Sequence, residues 1–154
     1  MTALERLLED ENALLRNFVV VLAQEQEALK LGDIDPLPEL NARKAELVAK
    51  LDDCEAARNR QLNAAGHAPD RSGMDSWLAG PQANALTAKK WEQFLELAAE
   101  ARRLNDLNGQ LIALRLQATS DAIDTLTARA RSTSLYGPDG QQAPSTGRRV
   151  IDAA

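Results

Sequence analysis

The chain has 154 residues, of which 44% are hydrophobic, 27% charged and only 3% aromatic. That length suffices for one domain with a core of its own, and the scarcity of aromatic and β-branched windows excludes a sheet-rich fold and leaves all-α. A formal net charge of −5 disfavours a general binder of nucleic acid or anionic membrane.

Residues 2–31 read as the first helix. Leu8, Leu15, Leu22 and Leu29 recur every seven residues, and Leu4, Leu7, Leu14, Phe18 and Val21 widen the stripe. Thr2 with Glu5 and Arg6 makes a helix start, and Gly32 a stop. The longest apolar run in this part, Phe18 to Ala23, is too short for a signal peptide or a membrane span, so the protein is expected to stay in the cytoplasm. The first thirty residues carry six carboxylates against three cations, whereas residues 128–154 carry four arginines against two aspartates.

Asp33-Ile34-Asp35-Pro36 forms the connection. Asp35 is expected to cap a second helix with Pro36 in its first position. That helix runs to about Ala65 on a stripe of Leu37, Leu40, Leu47, Val48, Leu51, Cys54 and Leu62. So short a link makes the first two helices antiparallel neighbours. Residues 66–87, punctuated by Gly66, Pro69, Gly73, Gly80 and Pro81, are expected to hold one helical turn from Met74 to Ala79, tucking Trp77 over the end of the bundle.

The chain is organised around its third long helix, which begins between Asn84 and Ala88 and runs to about Arg131. Leu97, Leu104, Leu111 and Ala118 repeat every seven residues, and a second line runs Trp91, Ala98, Asn105, Ile112, Thr119 and Leu126. Asn108-Gly109 is a turn dipeptide, and a break there is the alternative to continuity. The seven-residue register passes through Gly109 without a slip, which favours one helix, with the glycine admitting another backbone closely. Roughly 44 residues at about 1.5 Å each give a rod of about 65 Å. The fold class is therefore an elongated antiparallel bundle of three long helices, with a short helical turn between the second and third and a flexible C-terminal tail. Residues 1–131 make the helical domain and 132–154 the tail, whose Gly, Pro, Ser and Gln cannot bury enough surface to fold alone.

Little in the sequence supports chemistry. A lone Cys54 excludes an internal disulfide and fits a reducing compartment, and with the single His67 it cannot complete a closed zinc site. Cys54 on an apolar stripe reads as a core thiol rather than a nucleophile. Phosphate loops, nucleophile elbows and dinucleotide fingerprints are missing, and acidic runs such as Glu92/Glu96/Glu100 read as a solvated helix face. An enzyme and a cofactor are not expected.

Surface for partners remains. Leu107, Leu111, Ile112, Leu114, Leu116, Ala118, Ile123 and Leu126 go well round the third long helix. Periodicity alone favours closure of this excess within a core or by self-association over an open groove for another helix. Asn105, on the inner line, and Asn108, beside it, read as fixing helix register through buried hydrogen bonds, with hydrogen bonding to a guest helix as the alternative.

Asn105-x-x-Asn108-Gly109-Gln110-Leu111-Ile112, with Leu135-Tyr136-Gly137-Pro138-Asp139-Gly140 further on, resembles the FlgN family of cytoplasmic flagellar export chaperones. The order of parts agrees over nearly the whole chain. The resemblance implies a non-enzymatic chaperone for the hook–filament junction proteins FlgK and FlgL. It would bind their helical C-terminal segments, prevent premature assembly and bring them to the export gate. It also implies a cargo surface of Leu104, Leu107, Leu111, Ile112, Leu114, Ala118, Ile123 and Leu126, and docking of Tyr136 to the export gate protein FlhA. The bland alternative for Tyr136 is packing back onto the bundle. The competing reading of the whole is a structural coiled-coil protein that self-associates through the same stripes.

Overall fold

The computed structural model describes residues 1–135, and among them the chain is all-α with no strand. Four helices run in order: α1, Ala3–Leu31; α2, Leu37–Ala64; α3, Arg71–Leu78; and α4, Ala85–Leu135. The chain divides into two compact units, the first Met1–Ile112 and the second beginning at Ala113.

Helix α1 starts with a capping box. The Glu5 amide donates to Thr2 Oγ1 at 3.1 Å, and the Thr2 amide donates back to Glu5 Oε2 at 2.8 Å. It ends where Gly32 enters the left-handed region at φ 70° and donates back to the last turn. The cap expected of Asp35 on α2 does not form. The Asp35 amide instead donates to Asp33 Oδ1 at 3.2 Å, so Asp33 turns the chain, and Pro36 stands at the helix boundary with no side-chain cap. Helix α3 is longer than one turn. It spans eight residues because Asp70 caps it, its Oδ1 accepting from the Gly73 amide at 2.8 Å.

Within the first unit α2 runs antiparallel to α1, since Glu11 meets Arg58 while Glu25 meets Lys44. Helix α4 runs parallel to α1: Thr87 meets Glu5, and Asn108 meets Leu22 and Glu25. The core has two parts. At one end α3 lays Met74 and Trp77 against Leu4, Leu8, Leu62 and Trp91. Further along, Leu15 and Leu22 pack with Ala101 and Leu104, flanked by Phe18, Leu51 and Phe94. The Trp91 and Phe94 rings stack at 5.0 Å, and Trp91 Nε1 donates to Asp75 Oδ1 at 3.3 Å, which ties α3 to α4.

Helix α4 passes through Asn108-Gly109 unbroken and takes in Ser132–Leu135, four residues past the expected boundary. The reason anticipated for Gly109 is wrong: a Cβ there meets nothing within 4 Å, so no backbone comes close. Gly73 is the position of close approach, where an added Cβ would lie 1.7 Å from the Ala68 carbonyl oxygen. These two glycines should respond oppositely to alanine. Gly109→Ala should stabilise by about 1 kcal/mol. Gly73→Ala should cost about 1–3 kcal/mol because the Ala68 backbone must move. Urea unfolding monitored by circular dichroism measures both.

Candidate functional site

Polar groups inside the first unit decide which side chains are left free at its surface. Glu5 is buried, and its Oε1 accepts from Thr87 Oγ1 and Asn84 Nδ2, both at 2.6 Å. The Thr87 hydroxyl above all, then the Thr2 amide and Asn84, hold its carboxyl down at about 2 against the opposing effect of burial. Glu11 pairs with Arg58, whose guanidinium lies over the rings of Phe94 at 4.8 Å and Trp91 at 5.4 Å. Burial pushes the Glu11 carboxyl up, with Arg58 opposing. Glu25 accepts from Lys44 at 3.0 Å and from Asn108 Nδ2 at 3.1 Å, and Asn108 also donates to the Leu22 carbonyl at 2.9 Å. Asn12 Nδ2 reaches the Lys90 carbonyl at 3.0 Å. Asn108 therefore fixes register from within the bundle. Asn105, expected beside it on the inner line, is exposed, because the seam turns with the helix and Leu104 and Asn108 take the inner positions.

None of this is an arrangement for catalysis. Cys54 is half-buried on α2, and burial first, then Glu11, Asp10 and Asp53, push its thiol up, away from the reactive thiolate. His67 Nδ1 lies 3.0 Å from Ser76 Oγ. Among the described residues no three His, Cys, Asp or Glu side chains gather as metal ligands. A cleft of about 440 Å³ opens beside the Glu11–Arg58 pair, with Leu15, Leu51 and Phe94 on its floor and Asp52 and Glu55 on its rim. It holds no nucleophile beside a base.

The surface of α4 differs between the units. In the first, Leu104 is buried against Leu15 and Leu22, which removes it from any open face; Leu107 and Leu111 are half-buried, and Ile112 is 41% exposed. In the second, Leu114 and Leu116 are each 67% exposed, Ile123 56% and Leu126 63%, and Ala118 is exposed as well. Among the described residues of this unit α4 is the one element, and one helix cannot cover itself. The expected cargo set lacked Leu116, although it lies one helical turn beyond Ile112. Tyr136 lies outside the described residues. No helix among them is long and apolar enough to cross a membrane.

The FlgN protein family model matches residues 1–144. The chain belongs to the FlgN family. Among its relatives, the flagella synthesis protein FlgN of Salmonella typhimurium is 29% identical over 147 residues, covering 94% of each chain. The protein of that name from Escherichia coli K12 is 26% identical over 143 residues, covering 92% of this chain and 91% of its own. The one from Proteus mirabilis is 28% identical over 156 residues, covering 97% and 98%. No solved structure gives a significant match. The family is one of flagellar export chaperones and not of enzymes, and the buried polar groups of this member serve its fold.

Those groups can be probed in two ways. Arg58→Met leaves Glu11 buried without its cation and should cost about 3–5 kcal/mol in urea unfolding, most of it regained when Glu11→Leu is added. The Glu5 network has a defined pH signature. A folded pKa of about 2 against an ordinary 4.5 gives stability that is present above pH 4.5 and lost as pH falls towards 2. Glu11 acts with the opposite sign, since its folded carboxyl takes up a proton more readily than the unfolded one. The stability gap between the native chain and Glu5→Gln should therefore be widest above pH 4.5 and close between pH 4.5 and 2, read from denaturation midpoints at each pH.

Proposed function

We propose that the protein works in the cytoplasm as the export chaperone of the hook–filament junction proteins FlgK and FlgL. It holds their helical C-terminal segments until secretion and delivers them to the export gate protein FlhA, where Tyr136 docks. The observation that carries this reading is the exposure of Leu114, Leu116, Ile123 and Leu126 on one helical segment. Apolar side chains recurring on a helix are what an amphipathic guest helix packs against. Leu116, Ile123 and Leu126 fall on one face of that segment and Leu114 on the far side, and an open apolar face of that kind is uncommon unless a partner covers it. On the second unit the guest surface comprises Leu116, Ile123 and Leu126, with Leu114 and Ala118 of the expected set on the other side of the helix; Leu104 stays in the core of the first unit. Holding needs no nucleotide, because burial of apolar surface supplies the free energy.

The test is calorimetric titration of the chain with the C-terminal segment of FlgK. Leu116→Asp with Ile123→Asp, both at exposed positions, should leave helicity intact and weaken binding about a hundredfold. Unchanged affinity would remove the proposed surface. A stable oligomer in light scattering, with no affinity for the segment, would favour the self-associating coiled coil instead.

A further inference from the structure

We propose that the cleft beside the Glu11–Arg58 pair is a second docking site, and that its occupant is a lysine-bearing segment of a partner protein. The cleft lies in the first unit, so the inference is independent of the guest-holding reading of the second. Its volume of about 440 Å³ falls in the range of sites that enclose a ligand group. Trp91 and Phe94 stack on each other with the Arg58 guanidinium against both, so the hydrocarbon open to an occupant comes from Leu15, Leu51 and Leu95. Two sets of polar groups in the lining have bonding capacity to spare. Arg58 is 8% exposed, yet both its hydrogen bonds to Glu11 leave from Nη1. Among the described residues nothing accepts from its Nε or Nη2, and neither atom is sealed from solvent. A buried guanidinium with free donors calls for an acceptor in the cleft. The second set is Asp52 and Glu55 on the rim, three residues apart on one face of α2 and both exposed. Neither is in an ion pair among the described residues. Arg71, on the α3 side of the cleft, pairs with neither, and Asp70 is engaged by the Gly73 amide.

Charge selects among occupants. Glu11 already balances Arg58, so an added carboxylate would meet Asp52 and Glu55 with no cation left over beside them. A neutral carbonyl satisfies Arg58 without that repulsion, and an ammonium satisfies the rim. A lysine-bearing peptide segment supplies both. A backbone carbonyl accepts from Arg58, the lysine stem packs on the leucines, and its ammonium reaches the two carboxylates.

The probes are three capped tripeptides, acetyl-Leu-Lys-Leu-amide and its Gln and Glu counterparts, titrated into the isotope-labelled full chain at low salt and followed by backbone amide shifts. The Lys peptide should bind with a Kd on the order of 1 mM, shift amides around Leu51 and Leu95, and bind about fivefold tighter than the Gln peptide, with the Glu peptide weakest. Asp52→Asn with Glu55→Gln, both at exposed positions, should erase the preference while circular dichroism stays unchanged. Leu116→Asp with Ile123→Asp should leave binding of the Lys peptide as it is, which keeps this site distinct from the guest surface. A Gln or Glu peptide that binds as tightly as the Lys peptide would overturn the basic occupant, as would a preference that survives the double substitution on α2. No shift around the cleft at about ten times that Kd, or loss of binding in the α4 variant, would overturn the site itself.

Discussion

Two carboxylates buried on α1 set the frame for the first unit. Glu11 meets Arg58 and Glu25 meets Lys44, so a step of fourteen residues along α1 is matched by fourteen back along α2. All four charges sit within the apolar seams. On α1 the line runs Leu4, Glu11, Phe18, Glu25; on α2 it runs Leu37, Lys44, Leu51, Arg58. Sliding α2 by one heptad would set Glu11 against Leu51, Glu25 against Leu37, Lys44 against Phe18 and Arg58 against Leu4. Each pairing buries a charge on hydrocarbon at a cost of several kcal/mol. The pairs need add little net stability to do this work, because their effect lies in the alternatives they forbid.

Helix α4 then seats on a fixed two-helix platform. Its polar ties to α1 are spaced along the seam, at Thr87 with Asn84, at the Lys90 carbonyl and at Asn108. Each satisfies a polar group that burial would otherwise penalise. Between them the apolar contacts of Trp91, Ala101 and Leu104 supply most of the driving force. The second unit is the reverse case: its described residues form one helix with Leu114, Leu116, Ile123 and Leu126 open.

Much of the fold was legible because period and punctuation are local. Seven-residue leucine lines, Thr2 before Glu5, and Gly32 after the last turn sufficed for α1. What escaped depended on neighbours. Asp33 and Asp35 are equally good turn formers, and only the backbone path selects Asp33. Asn105 and Asn108 are three residues apart, and whichever faces α1 depends on the crossing of α4 over α1. The burial of Leu104 required knowing that Leu15 and Leu22 reach that far. The charged seam positions did carry a signal, namely Glu11 and Glu25 standing where the heptad calls for an apolar residue. The open surface was legible in outline, as an excess of apolar residues on one helix. Its extent was not, because closure by other elements cannot be judged from periodicity.

Trp77 and Trp91, the two indoles of the chain, both lie in the first unit, one on α3 and one on α4 beside Arg58 and Asp75. Ultraviolet emission from this protein is therefore a report on its frame, sensitive to the stacking with Phe94 and to the ring hydrogen bond. The helix from Ala113 to Leu135 carries neither indole. A dye attached to that helix would report on it separately, while the native emission serves as an internal standard for an intact frame.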